Sequence, residues 1–371
     1  MNLILHITTA AEWQAAQAAG SYQADSLASE GFIHCSMAQQ VVATANAIFP
    51  GRDGLLLLAI DAARLAAPLR YEDCYETGQQ FPHIYGPLNL DAVVAVHDFP
   101  PTPAGSFNLP PALAAQDFPI LEYDPAPQAL IEPAHLLPQQ DVPAGCVLCF
   151  FQEVLTSLQA QGTLIQRHSL GSEIGPNPVY EMTLDGRRLG VCHPGLGAPL
   201  AAGFLEELIA LGYRQFIACG GAGVLRHDIT VGHLVIPTSA VRDEGTSYHY
   251  LPPAREVAPS PAGVAALELV LQQDHVPYLT GKTWTTDAFY RETPARIQRR
   301  RAEGCLTVEM EAAAFFAVAQ FRGVTFAQLL YGGDDVSSDT WDPRRWSKRA
   351  SVREKLFWLA AEACLRLRDD A

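Results

Sequence analysis

The stretch TVEMEAAAFFAVAQFRG, Thr307 to Gly323, decides how the rest of this 371-residue chain is read. Glu309 and Glu311 flank Met310 and run straight into an apolar segment. Carboxylates are rarely buried without partners, so two of them at the head of an apolar stretch point to a bound molecule carrying hydroxyls. The plainer alternative is a helix start, where the dipole favours acidic residues.

Working outward, LGVCHPGLGAPLAAGFLEELIALG (Leu189 to Gly212) reads as a short apolar strand, a tight turn at Gly195 and Gly197, and an apolar helix. FIACGGAGVL (Phe216 to Leu225) is a second apolar run ending in small residues, among them Gly221 and Ala222, that let backbone N–H groups approach a ligand. After it come VGHLVIPTSAVRDEGTSYHY, WTTDAFYRE, the acidic stretch and QLLYGGDDVSSDTW. One glycine-rich turn is weak evidence for any function. Six segments in this order resemble the nucleoside phosphorylase and nucleosidase superfamily, whose VEMEAA segment places the methionine under a ribose and a glutamate on its hydroxyls. The resemblance implies an α/β, three-layer core with a mixed central sheet.

Composition agrees with a soluble globular protein of two domains: 49% of residues are hydrophobic and 18% charged. A formal charge of −15 without a Lys/Arg tract argues against nucleic acid as a partner and for a small molecule. The start MNLILHITTAAEW lacks a basic leader and a long apolar run, and no stretch reaches the ~20 apolar residues of a membrane span, so no membrane partner and a cytoplasmic location are expected. Eight cysteines lie mostly in apolar runs and read as reduced core residues. Cys146 and Cys149 form a CxxC, but no second ligand pair has metal spacing, so neither a metal nor a cofactor is expected.

The chain divides into an N-terminal unit at 1–100, a Pro/Ala-rich linker or wrapping connection at 101–133, and a larger unit at 134–371. In the first unit, LILHIT, SLASEGFIHCS and FPHIYGPLNLDAV closely resemble a small uncharacterised bacterial domain family, itself distantly similar to ADP-ribosyltransferases. This implies a small α+β fold in which His6, His34, Ser36, His83 and Tyr85 cluster. From the residues alone, buried histidines satisfying core hydrogen bonds are the stronger reading. A transferase also needs a catalytic carboxylate, for which Glu72 and Glu76 are the loose candidates.

In the second unit the superfamily resemblance implies roles residue by residue. Met310, Glu311 and neighbouring Glu309 grip the ribose, and Phe289 stacks on the base. Asp334, directly after an apolar strand, assists the departing base, with Asp335 on the opposite face as the lesser candidate. His135, in EPAHLLP, stands where superfamily members reach into a neighbouring subunit, which implies a homo-oligomer.

The phosphate-binding arginines of the phosphorylases have no counterparts here. Glu153 in CFFQEV, Ala218 and Gly221 around CGGAG, and Ser172 with Glu173 occupy the corresponding places. Glu153 before Val154 instead resembles the water-activating glutamate of the methylthioadenosine/S-adenosylhomocysteine nucleosidases. A phosphate facing Glu153 meets repulsion, so hydrolysis of a nucleoside is expected over phosphorolysis. Arg167, Arg226 and Arg242 remain as phosphate ligands in the phosphorolytic alternative. Thr293 and Ala295 stand where pyrimidine-specific members carry Gln and Arg, which leaves a purine by elimination. A nucleoside sensor without turnover is the alternative of another class, and retention of both Asp334 and Glu311 argues against it.

Overall fold

The computed structural model describes residues 3–74, 78–110, 113 and 118–367. Chain contacts divide it into two compact units, Met1–Glu122 and Tyr123–Ala371. The Pro/Ala-rich stretch is therefore shared between them. Phe107 is buried within the first unit, its ring 4.9 Å from that of Phe99, while Pro133–Leu136 forms a short helix in the second.

The larger unit is built on a ten-stranded mixed sheet among the described residues. Gly145–Cys149, Gln215–Val224 and Thr325–Asp335 run parallel through its middle. Their residues are almost continuously apolar, GCVLC and TFAQLLYGGDD, as strands covered on both faces require. Gln215–Val224, Thr325–Asp335, Leu234–Asp243, Tyr278–Thr286 and Cys305–Glu309 then pair one to the next until the ring closes. Closure leaves few free edges and gathers several strand ends at one place.

Helices cover both faces. Gln152–Ala160, Pro261–Gln273 and Ala350–Arg366 pack on one side; Ala198–Leu211 and Ala312–Arg322 pack on the other. This is the three-layer arrangement expected from the sequence. The helix Ala312–Arg322 is apolar nearly all round, as a helix enclosed by its neighbours must be. It stops at Gly323, whose φ of 66° is left-handed and whose N–H caps the final turn.

The N-terminal unit is α+β. Leu3–Thr9, Leu55–Asp61 and Val93–Asp98 form one antiparallel sheet. Ile33–His34, Phe81–Ile84 and Leu69–Glu72 form another. The second brings His34 directly opposite His83 in register.

Gly263 and Gly203 carry opposite predictions. A Cβ on Gly263 would lie 2.7 Å from the Cβ of Ala327, in the strand beneath its helix, whereas Gly203 faces open space. Gly263→Val should lower stability by about 1–3 kcal/mol. Gly203→Ala should raise it by about 0.5–1 kcal/mol through helix propensity alone. Denaturant midpoints that moved in the same direction for both variants would show that the helix does not rest on Ala327.

Candidate active site

The strand Cys305–Glu309 ends inside the unit, and its last side chain starts the next helix. Oε2 of Glu309 accepts the backbone N–H groups of Glu311 at 2.7 Å and Ala312 at 2.6 Å. Oε1 accepts the Thr285 hydroxyl at 2.7 Å. Glu309 is thus a fully engaged helix cap, although it also lines the cavity described next. The sequence reading paired it with Glu311 as a sugar ligand; its oxygens are already committed to the fold.

Glu311, two residues on, faces a cavity of about 370 Å³. One carboxylate oxygen accepts the Gly197 N–H at 2.6 Å, which ties it to the turn that precedes Ala198–Leu211. A backbone hydrogen bond from Met310 also reaches the carboxylate. Burial, and then the charge of Glu309, raise its carboxyl from about 4.5 to about 8.

The same cavity is lined by Met310, Phe289, Gly221, Ala222 and Asp334, so the strand ends bring together the ribose, base and acid candidates of the sequence. Asp334 accepts the Trp341 indole N–H at 2.7 Å. Asp335 points the other way, buried against His227, Arg344 and the Ser337 N–H, as a structural anchor. Phe289 is half exposed and tilted against Tyr290, ring centres 4.0 Å apart.

Three placements depart from the sequence reading. Gly221 lacks a side chain because Trp346 needs the room: a Cβ there would meet its ring at 2.7 Å. The neighbouring Gly220 is approached in the same way by Phe150, at 2.9 Å. Aromatic rings fill the space beside this strand, where a ligand was expected to approach the backbone. Glu153 is absent from the cavity lining; it is about half exposed and forms an ion pair of 2.6 Å with Arg353. His135 is exposed on its short helix and does not reach this cavity within its own chain.

The three arginines held in reserve for phosphate are also elsewhere. Arg167 pairs with Glu181, and Arg226 with Asp228. Arg242 is buried against Ser247 and the carbonyls of Leu251 and Pro252. Ala218, Ser172, Glu173, Thr293 and Ala295 are likewise outside the lining.

Two charged residues of the cavity are not among the candidates that the sequence offers. Arg353 is the one lysine or arginine in the lining, its guanidinium 4.5 Å from the centre of the Phe151 ring. It comes from the final helix, far from any recognised motif. Glu292, in the RETPAR segment, is raised to about 7 by burial and by the charge of Asp334. Its position two residues after Tyr290 and directly before Thr293 is the signal that the sequence offers for it.

In the N-terminal unit, His6, His34, Ser36 and His83 line a second cavity of about 610 Å³, together with Glu72 and Cys74. His6 bonds the His34 carbonyl and the Tyr22 hydroxyl, at 2.6 and 2.7 Å, and burial lowers its imidazole to about 4. It is a satisfied core histidine. His34 and His83 meet edge to face, ring centres 5.2 Å apart. Tyr85 donates to Glu72 at 2.6 Å and is not part of the lining. Glu76 lies outside the described residues. Cys146 and Cys149 are both buried on one central strand.

Comparison with known proteins agrees with this geometry. Residues 146–357 match the model of the phosphorylase superfamily, more than half of the chain. The chain belongs to the phosphorylase superfamily. It is 32% identical over 170 residues to the guanosine phosphorylase of Halorubrum lacusprofundi, covering 44% of this chain and 70% of that protein. It is 33% identical over 188 residues to the uridine phosphorylase of Treponema pallidum, covering 47% and 73%. A uridine phosphorylase structure from Vibrio fischeri shares the fold, with a TM-score of 0.52 and 24% identity over 61% of this chain and 93% of that one. Residues 7–96 match a family described only as a protein of unknown function, DUF952. The likeness to ADP-ribosyltransferases expected from the sequence has no counterpart in these matches. No helix among the described residues is long and apolar enough to cross a membrane.

The raised Glu311 carboxyl sets a pH dependence in this superfamily member. The folded state keeps a proton that the unfolded chain releases above about 4.5, so this contribution to stability is present at low pH and is lost as pH rises towards about 8. The melting temperature of the ligand-free protein should therefore fall across that window, and Glu311→Gln should flatten part of the fall. Parallel curves for the two proteins would mean that Glu311 does not hold the proton.

Proposed function

We propose that the C-terminal unit cleaves the N-ribosidic bond of a nucleoside or related ribosyl compound, with water as the favoured acceptor. The observation that carries this reading is the lining of one cavity: Glu311, Met310 and Asp334 share it with one cation, Arg353, which is already paired with Glu153. A neutral nucleoside suits that charge balance better than a phosphate dianion does.

In this reading Met310 lies under the sugar and the second oxygen of Glu311 accepts its 2' and 3' hydroxyls. Phe289 stacks on the base. As the C1'–N bond breaks, its electrons pass to the base, which Asp334 stabilises by a hydrogen bond or a proton, with Trp341 fixing the carboxylate's direction. Glu292, at about 7, is a second acid able to hold a proton at neutral pH. The oxygen of water then bonds to the oxocarbenium-like C1', and its proton passes to the departed base or replaces the one that Asp334 gave to it, giving ribose and free base. Glu153, expected from the sequence as the base for this water, acts in this reading through Arg353, which it holds. Two carboxyl groups at the base end favour a base rich in N–H groups, in keeping with a purine.

Phosphorolysis to ribose-1-phosphate is the second reading. It is favoured by the names of the relatives at 32–33% identity and by the presence of Arg353 in the lining. A homo-oligomer is also proposed: Leu196, Phe289 and Trp341 in the lining are 71%, 49% and 66% exposed in the single chain, a large apolar area for water to cover.

Two experiments test the reading. Purified protein with a panel of nucleosides should release free base at equal rates with and without phosphate, with ribose as the co-product. Ribose-1-phosphate formed in proportion to phosphate would replace hydrolysis by the second reading, and no release from any nucleoside would leave a binding protein.

Asp334→Asn should slow cleavage of ordinary nucleosides by about 10²–10⁴-fold. It should spare a nitrophenyl riboside, whose leaving group departs unaided. Equal losses on both substrates would make Asp334 a residue that holds the site together. Unchanged rates on both would pass its role to Glu292.

A further inference from the structure

The N-terminal unit holds a cluster that the sequence reading did not assemble. The strand Leu69–Glu72 lies antiparallel to Phe81–Ile84, and the chain leaving Glu72 brings Cys74 back over His83. Three different donor atoms converge there. Cys74 Sγ is 3.6 Å from His83 Nδ1 and 3.9 Å from Glu72 Oε2, and His83 Nδ1 is 3.9 Å from the same oxygen.

Those lengths form a nearly regular triangle; weak thiol hydrogen bonds account for its two sulfur edges, but not for the third. At 3.9 Å a nitrogen and a carboxylate oxygen are too far apart to share a proton. A tetrahedral ion is a different matter. With zinc-to-ligand lengths of about 2.3 Å to sulfur and about 2.0–2.1 Å to nitrogen and oxygen, the edges between ligands should be about 3.3–3.6 Å. A movement of a few tenths of an ångström brings all three atoms onto one ion.

The ligand types agree with the spacing. Thiolate, imidazole and carboxylate together favour zinc over magnesium or calcium, which prefer oxygen alone. The surroundings resemble a metal site's supporting shell. Tyr85 donates to Glu72 at 2.6 Å and fixes the carboxylate. Phe32 stacks on the His83 ring at 4.2 Å and sets its plane. Three protein ligands leave a tetrahedral ion one open position, and all three line the N-terminal cavity, where His34 and Ser36 also stand.

We propose that Glu72, Cys74 and His83 bind a zinc ion whose fourth position opens into that cavity. The exchangeable ligand there is water or an anionic oxygen of a small molecule, such as a carboxylate or phosphoryl group. The site is independent of the nucleoside reading, since every group in it belongs to the N-terminal unit.

Cobalt(II) provides the test, because a thiolate ligand gives a near-ultraviolet charge-transfer band and four-coordination gives intense visible bands. The full chain, stripped with a chelator, should take up one equivalent of cobalt with both signatures, and zinc should displace it. Cys74→Ser, at an exposed position that the fold does not depend on, should abolish the charge-transfer band and weaken zinc binding at least tenfold. Tyr85→Phe should retain the band but weaken affinity by about 10–100-fold, as loss of a supporting hydrogen bond does. Azide should shift the visible bands by entering the open position. No saturable uptake, or a charge-transfer band retained in Cys74→Ser, would overturn the site; visible bands indifferent to azide would overturn the open position.

Discussion

The carboxylate of Glu309 is the constraint on which the catalytic unit's geometry depends. It sits where a strand of the closed ring ends and a buried helix begins, and it accepts two backbone N–H groups and a threonine hydroxyl. Those N–H groups have no partner within the helix, and leaving them bare in so apolar a place would cost several kcal/mol. By satisfying them, Glu309 fixes the direction in which the chain turns. Met310 and Glu311 are presented to the cavity as a consequence. The price is electrostatic: a second carboxyl is buried two residues away from the first, and that burial, with the charge of Glu309 added to it, holds the Glu311 proton to about 8.

Aromatic packing then shapes the walls that the backbone leaves open. The glycines at 220 and 221 receive Phe150 and Trp346 against bare backbone, so a segment whose small residues read as room for a ligand becomes part of an apolar wall. Arg353 enters over Phe151 from the last helix and carries Glu153 with it. Positive charge in the cavity is thus supplied from a distant part of the chain and is compensated before any ligand arrives.

These particulars show which parts were legible in the sequence. The layers of the larger unit were, because continuous apolar strands and apolar helices can be stable only when packed on both sides. Glu311, Met310, Phe289 and Asp334 were placed in one cavity because they end or follow strands whose register is strongly specified by burial. Glu309 lines the cavity as expected, but its engagement as a cap was not legible, since a cap and a ligand draw on the same residue type at the same helix start. Arg353 could not be found from local pattern: its place is set by how the C-terminal helix packs, a long-range contact without a motif. The Glu72, Cys74 and His83 cluster was hidden for a related reason. Its members are joined by strand pairing and a loop, with none of the close repeated spacing by which metal sites are usually noticed.

The charge state of the larger cavity carries the argument one step further. Glu311 and Glu292 are both raised, one chiefly by burial with Glu309 beside it and the other by burial with Asp334 beside it. Both shifts come from desolvated carboxyls near like charge, and protonation is the least costly relief available to an empty site. A ligand that donates hydrogen bonds relieves the same stress by another route, because donors stabilise the ionised form. Ribose hydroxyls offer this at Glu311, and N–H groups of a base offer it at Glu292. An acceptor-rich anion offers it at neither, and its charge would raise both carboxyls further. The two raised acids thus support the proposed preference for a neutral, donor-rich ligand, and that support does not rest on any particular arginine being missing.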